Sequence, residues 1–243
     1  MTTKAKTFLS SVAATAIFIL VMFLLNQIDI TSPYDSPPEP PGHYELDVQQ
    51  AWDDYQAVSA SPRCDRPGRT PLGADCQVPA YNREAQFGTP WFDLDGNGCN
   101  TRDDVLQAEL TDVELRNNGC HVQSGTLHDP YTASTIDFTR GAGTSMDVQI
   151  DHIFPLSLAW DLGAHAWPQE TRVRFANDPL NLLAVDGSAN QQKSDRTMSE
   201  WMPPNTGYHC SYVARMLAIA REYNLPLETS DYEMVPGVLE TCG

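Results

Sequence analysis

The chain has 243 residues and a formal net charge of -17, with 32 acidic residues set against 15 lysines and arginines. That length suits one fair-sized globular domain with extensions. The charge excludes broad adhesion to nucleic acid, which relies on Lys and Arg displacing counterions along the phosphate backbone, so any nucleic-acid function has to be local.

Phe8 to Leu25 reads FLSSVAATAIFILVMFLL, an uncharged run of eighteen residues behind Lys4 and Lys6. Such a run can span a bilayer with its positive flank on the cytoplasmic side. Residues 1–30 are therefore expected to be a membrane anchor or a signal segment, with the body of the protein exported. The following NQIDITSP lacks a clear small-x-small cleavage site, which favours an uncleaved, outward-facing anchor over a secreted, cleaved form. The six cysteines, Cys64, Cys76, Cys99, Cys120, Cys210 and Cys242, all lie beyond this run, as disulfides facing an oxidising space would. Pairing of sequence neighbours (64 with 76, 99 with 120, 210 with 242) is the simplest of the fifteen arrangements open to six cysteines. A zinc site competes, but no Cys-x-x-Cys pair supports it.

Residues 31–42, TSPYDSPPEPPG, read as a proline-rich, semi-rigid spacer. Leu46, Val48, Trp52, Tyr55 and Val58 have helical spacing and predict a helix that ends at Ser-Pro. CDRPGRTPLGADC follows as a loop stapled by its own two cysteines, so residues 43–80 form an N-terminal helix and Cys loop ahead of a domain over 81–243.

WFDLDGNGCNTRDDVLQAEL predicts a Gly-rich turn feeding a helix, with Thr101 and Asp104 spaced as a variant capping box. Asp93, Asp95, Asn97, Gly98 and Asp104 also match positions of the EF-hand loop, which makes Ca²⁺ a candidate ligand. The last of these is Asp where the pattern has Glu, which shortens its reach. A tight turn before a capped helix, held through Cys99, is the favoured reading.

Short strands are predicted in CHVQSGTL, TIDFTRG and SMDVQIDHI, with a turn at HDPYTAS. LAWDLGAHAW and PQETRVRFAND predict short helices, and LNLLAVDG a strand closing in an Asp-Gly turn. SANQQKSDRTMSEWM predicts a helix stopped by Pro203 and Pro204. YHCSYVARMLAIAREYNL predicts an amphipathic helix with Tyr212, Val213, Met216, Leu217 and Ala220 on one face. His121, His128, His165 and His209 fit no ligand spacing, and Trp160, Trp167 and Trp201 read as core.

The chemistry concentrates in DVQIDHIFPLS, where a carboxylate directly precedes an imidazole at the end of a β-branched run. Asp151 offers a hard anionic oxygen and Asn190 a neutral one, a set suited to a divalent ion that keeps most of its waters. His152 can take a proton from an attacking water near neutral pH. The metal would stabilise charge growing on a phosphoryl oxygen. Asn181 leads into the next strand, and the helix beyond carries Asn190 and Lys193, the one lysine outside the N-terminal segment. Singly, these are a polar strand-end pair, an Asn bonding backbone and a solvated lysine. Taken in order, they point to phosphodiester hydrolysis.

QIDHIFPLSLAWDLGA, FANDPLNLLAVDGSANQQKSD and WMPP resemble the secreted HNH-family endonucleases of bacteria, whose catalytic domain is also found in GmrSD-type modification-dependent restriction enzymes. With YNREAQFGTPWFDLDGNGCNTRDDVL and SGTLHDPYTASTIDFTRG, the resemblance covers roughly Tyr81 to Cys242. It implies an α+β fold, a ββα-metal (His-Me finger) nuclease core with added helices and short strands, stapled by disulfides. In it His152 is the general base, Asp151 and Asn190 hold the metal, Asn181 braces the loop and Lys193 lies near the phosphates. Arg102 and Arg140, in the family-like stretches, are candidates to steady a phosphate. Asn190 stands where many HNH enzymes have His, which makes the site oxygen-rich and turns the expected metal toward Mg²⁺ or Mn²⁺. The expectation is an exported, metal-dependent endonuclease acting on DNA, with RNA as a second candidate substrate and no obligate protein partner. Two alternatives stay open: a catalytically silent, calcium-binding surface module, and a phosphodiesterase acting on another extracellular polymer.

Overall fold

The structure is a computed structural model and describes residues 44–117, 119–142 and 144–243. The expected anchor over 1–30 and the spacer over 31–42 lie outside the described residues. Among the described residues no helix is long and apolar enough to cross a membrane.

Asp47 opens helix α1 (Val48–Ala57) by accepting a hydrogen bond from the Gln50 amide at 3.0 Å. This helix and the Cys64–Cys76 loop belong to the same compact unit, Pro38–Gly243, as the rest of the described chain. Strand β1 (Ala60–Ser61) pairs in parallel with β7 (Leu227–Glu228), and helix α2 (Arg83–Phe87) follows the loop. The other disulfides join Cys99 to Cys120 and Cys210 to Cys242, so all three neighbour pairs form.

Helix α3 (Thr101–Glu109) leads into an antiparallel sheet of β2 (Thr111–Leu115), β3 (Val122–His128) and β4 (Thr135–Thr139). Next comes β5 (Val148–His152), which pairs antiparallel with β6 (Leu182–Asp186) from Val148↔Asp186 to His152↔Leu182. Between these strands run α4 (Leu156–Asp161) and α5 (Gln169–Asn177). Directly after β6 comes α6 (Gly187–Lys193), and α7 (His209–Glu222) and α8 (Thr229–Leu239) complete the fold.

Side chains alternate across a strand, and here the alternation decides what each residue does. Val148 and Ile150 of β5, with Leu182 and Ala184 of β6, join Val105 and Leu106 of α3 and Val122, Leu127 and Phe138 of the sheet in one buried core. Asp151 leaves β5 on the opposite face from Ile150 and His152. The adjacent Asp and His therefore leave the strand on opposite faces, although both border the cleft at its end.

Three sequence expectations are corrected. The cap of α3 is Asn100, whose side chain accepts from the Asp103 amide, while the Thr101 hydroxyl donates to the Phe92 carbonyl, so no capping box forms between Thr101 and Asp104. The Asp-Gly pair is a helix start: Asp186 caps α6 by accepting from the Ala189 amide at 2.8 Å. A Cβ on Gly187 would sit 2.0 Å from the Met146 carbonyl oxygen, so this close approach requires glycine. The helix expected through Trp201 ends at Lys193, because Ser194 turns to φ 51° and the Asp195 carboxylate is drawn to Arg63 and Ser157. Strand β2, helix α8 and the β1–β7 pair escaped the sequence reading. Pairing between such short or polar stretches depends on distant partners and leaves no periodicity.

Candidate functional site

The ends of β5 and α6 border a cleft lined by Arg83, Asp151, His152, Asn190 and Ser194, among others. The His152 ring is held on one edge and one face. Its Nε2 lies 2.9 Å from the Ala176 carbonyl oxygen, which can only accept, so Nε2 carries the hydrogen and Nδ1 is left with its lone pair. Nδ1 has no hydrogen-bond partner among the described residues. The Trp91 ring lies 6.1 Å away, within 14° of parallel. Burial lowers the His152 pKa from 6.5 to about 4; the Ala176 bond opposes this and the Arg83 charge adds to it. The ring is thus neutral at pH 7, with its basic nitrogen available.

Asp151 is 5 % exposed and held from two directions. The Tyr131 hydroxyl donates to Oδ2 at 2.5 Å, and Lys193 Nζ lies 3.0 Å from Oδ1 and 2.9 Å from Oδ2. The same ammonium donates to the His152 carbonyl at 2.9 Å. Lys193 is fully buried, and burial lowers its pKa against the pull of Asp151. The ammonium of Lys193, expected near the phosphates, is thus engaged by Asp151 and the His152 carbonyl. It sits on the inner face of α6, as the counter-charge that makes a buried Asp151 tolerable.

Asn190 donates through Nδ2 to Gln149 Oε1 at 2.9 Å, and its Oδ1 accepts no hydrogen bond among the described residues. Asn181 closes the segment after His152: its Oδ1 accepts from the Phe154 amide at 2.8 Å, and its Nδ2 donates to the Phe154 carbonyl at 3.2 Å. Behind it, Arg215 of α7 binds the carbonyls of Pro179, Leu180 and Leu182.

Tyr131, Trp91 and Arg83 were not singled out from sequence. A signal for Tyr131 lay in HDPYTAS. Asp129 accepts from the amides of Thr132 (2.8 Å), Tyr131 (3.3 Å) and Asp186 (2.9 Å), which ties this turn to the hairpin and brings Tyr131 to Asp151. Arg102 and Arg140 line other surroundings. Arg102 donates to the Val148 carbonyl at 3.1 Å; Arg140 donates to the Val122 carbonyl at 2.6 Å and pairs with Asp103. Both guanidiniums brace backbone at the edges of the core.

Among the described residues no group of three or more His, Cys, Asp or Glu side chains is placed to hold a metal ion. The donor set in the cleft is smaller: one carboxylate, Asp151, and one amide oxygen, Asn190. It matches an ion such as Mg²⁺, which uses one or two protein oxygens and keeps its waters, and does not match a closed zinc site. A carboxylate offers about four acceptor positions, and Lys193 and Tyr131 leave Asp151 with capacity for one more partner.

In the Asp93 loop the carboxylates bind the loop's own amides. Asp93 accepts from Gly96 at 2.8 Å and Gly98 at 3.0 Å, and Asn97 Nδ2 donates to Asp95 at 3.0 Å and Asp104 at 3.2 Å. Burial and the neighbouring Asp95 and Asp93 raise the Asp104 pKa.

Residues 100–230 match the family model described as GmrSD restriction endonucleases, C-terminal domain. The chain is 35% identical over 154 residues to a protein of Arthroderma benhamiae described as an uncharacterized secreted protein, a match covering 63% of this chain and 72% of that protein. No solved structure matches the chain significantly.

Proposed function

The chain belongs to the family of GmrSD restriction endonuclease C-terminal domains, and from that premise we propose that it is an exported endonuclease that hydrolyses phosphodiester bonds in DNA, with RNA as a second substrate. The β5–β6 hairpin and α6 are read as the ββα-metal finger of an HNH nuclease. The observation that carries the reading is His152, neutral at pH 7, with Nε2 committed to the Ala176 carbonyl and Nδ1 without a hydrogen-bond partner among the described residues, in the cleft that Asp151 and Asn190 also line.

His152 Nδ1 takes the proton of the attacking water. The resulting imidazolium keeps its Nε2–H bond to Ala176, so the ring does not turn as it charges. Asp151 and Asn190 would hold one divalent cation, Mg²⁺ or Mn²⁺, which when bound supplies stabilisation of charge on the phosphoryl and leaving oxygens. Tyr131 and Lys193 fix the Asp151 carboxylate, and Asn181 fixes the turn that follows His152. Export is supported by the hydrophobic run near the N-terminus, the three disulfides and the secreted relative. Substrate binding by so acidic a protein is weak and salt-sensitive.

The test is cleavage of plasmid and single-stranded DNA by the oxidised protein with Mg²⁺, Mn²⁺, Ca²⁺ or EDTA, beside a folded His152→Ala variant. Metal-dependent cutting that falls by two to four orders of magnitude in the variant, the usual scale for a general base, is the expected result. A folded wild type that cuts neither DNA nor RNA under any of these metals would sink the proposal.

A further inference from the structure

Tyr81 and Arg83, ahead of the stretch that matches the family model, line the cleft with His152, and Asp195, which also lines it, is paired with arginines of the preceding segment. Asp161, with no exposed surface, takes Arg63 Nε at 2.8 Å, Arg66 Nη1 at 2.7 Å and Arg69 Nη1 at 2.8 Å. Asp195 takes Arg63 Nη2 at 2.8 Å and Arg66 Nη2 at 3.5 Å. Three guanidiniums thus share two carboxylates, and Lys193 balances Asp151. The cleft and its supports carry an excess of positive charge in a chain of net -17.

Arg83 is the cation with no such partner. Among the described residues it makes no ion pair and no side-chain hydrogen bond, although it lines the cleft with His152, Asn190 and Ser194. Its guanidinium carbon lies 5.9 Å from the centre of the Trp91 ring, the same ring that lies parallel to His152. Trp91 itself has φ 60°, an unusual conformation for a bulky residue. Stacking on an indole holds a guanidinium without using any of its five N–H donors. A fork of free donors held in place matches the two oxygens of a phosphate.

Resting on the nuclease reading above, we propose that Arg83 is the phosphate-binding residue of the cleft: it grips a backbone phosphate of the nucleic-acid strand, with Trp91 as the plate that orients it. The Arg63–Arg66–Arg69 cluster supplies the local positive field that offsets the repulsion of the rest of the surface. The metal-side residues then act on the scissile group while Arg83 fixes the strand.

The experiment compares wild type with Arg83→Ala and Arg83→Lys in steady-state cleavage of a labelled single-stranded oligonucleotide from 50 to 300 mM salt. Alongside it runs anisotropy binding of the same oligonucleotide in EDTA. Arg83→Ala is expected to raise KM and the dissociation constant about tenfold to a hundredfold, the range for a hydrogen bond to a charged group, with a smaller effect on kcat. It should also flatten the log-log salt dependence by roughly 0.7, the value for one phosphate contact on a single strand. Arg83→Lys should recover part of the affinity. A folded Arg83→Ala variant with unchanged KM, dissociation constant and salt slope overturns the proposal, as does a loss confined to kcat. If the wild type cuts nothing, the nuclease reading fails, and the binding arm still decides for or against Arg83.

Discussion

The Lys193 ammonium lies 2.9 Å from Asp151 Oδ2, and the two residues are 0 % and 5 % exposed. A pair so removed from water gains little net stability, because desolvating both ions offsets their attraction. Removing one partner is different. Lys193→Met should cost about 3 to 5 kcal/mol, since Asp151 keeps only the Tyr131 hydroxyl. Asp151→Asn should also be destabilising, and the double variant should cost clearly less than the sum of the two. Urea unfolding of the four proteins measures this cycle. Additive costs would show that the two side chains are not coupled in the interior.

His152 leads to a prediction about acid. Its folded pKa of about 4 lies below its ordinary 6.5, so as pH falls the unfolded chain binds this proton before the folded one does. The sign follows: stability from this residue is full above about pH 6.5 and declines as pH falls from there toward 4, by roughly 3 kcal/mol in total. His152→Gln should lose less stability than wild type between pH 7 and 4.5, measured by denaturant unfolding at each pH. In cleavage assays the acid limb of wild type should fall below pH 5, because the base is neutral down to that range. A limb at 6.5 would mean that the ring is solvated and free of Ala176.

Gly187 predicts a steric failure close to the site. An added Cβ meets the Met146 carbonyl oxygen at 2.0 Å, and the Gly187 amide donates to the Asp147 carbonyl at 2.9 Å. Gly187→Ala must push α6 off the start of β5, at a cost of about 1 to 3 kcal/mol on the scale of overpacking, and it should displace Asn190 with it. The expected signature is a lowered Tm together with a reduced kcat. An unchanged Tm would show that the backbone gives way freely at this point.

How much of this was legible in the sequence depends on the range of the interactions. β5, β6 and α7 could be read because their apolar patterns are local, and neighbour pairing of the cysteines was readable because each pair closes a short loop. His152 and Asn190, singled out from their order along the chain, do line one cleft, while Asn181 bonds the backbone of Phe154. The role of Lys193 could not be read, since nothing in a short polar helix tells which of its faces meets a carboxylate 42 positions away. Arg83 was passed over for a related reason: that no carboxylate meets it among the described residues is revealed only by the folded chain. Arg102 and Arg140 were visible as residues, but their acceptors, backbone carbonyls and for Arg140 also the Asp103 carboxylate, are brought near only by the fold.

Asp161 carries the last prediction, because it ties the N-terminal Cys loop to the cleft. Asp161 is on α4, and the three arginines that converge on it come from the Cys64–Cys76 loop and its flank. Asp161→Asn would leave three guanidiniums around a neutral amide. Their mutual repulsion, and the loss of charge-assisted bonds, should destabilise the protein by about 3 to 5 kcal/mol. The loop itself is closed by its disulfide in either case, so it should remain a loop but lift away from α4. Limited proteolysis after Arg69 reads that event directly: it should be slow in wild type and fast in Asp161→Asn, well below the temperature of global unfolding. If the same loop supplies the positive field proposed above, the variant should also show a raised KM at physiological salt. Rapid proteolysis with an unchanged KM would separate the loop's anchoring from any part in substrate binding.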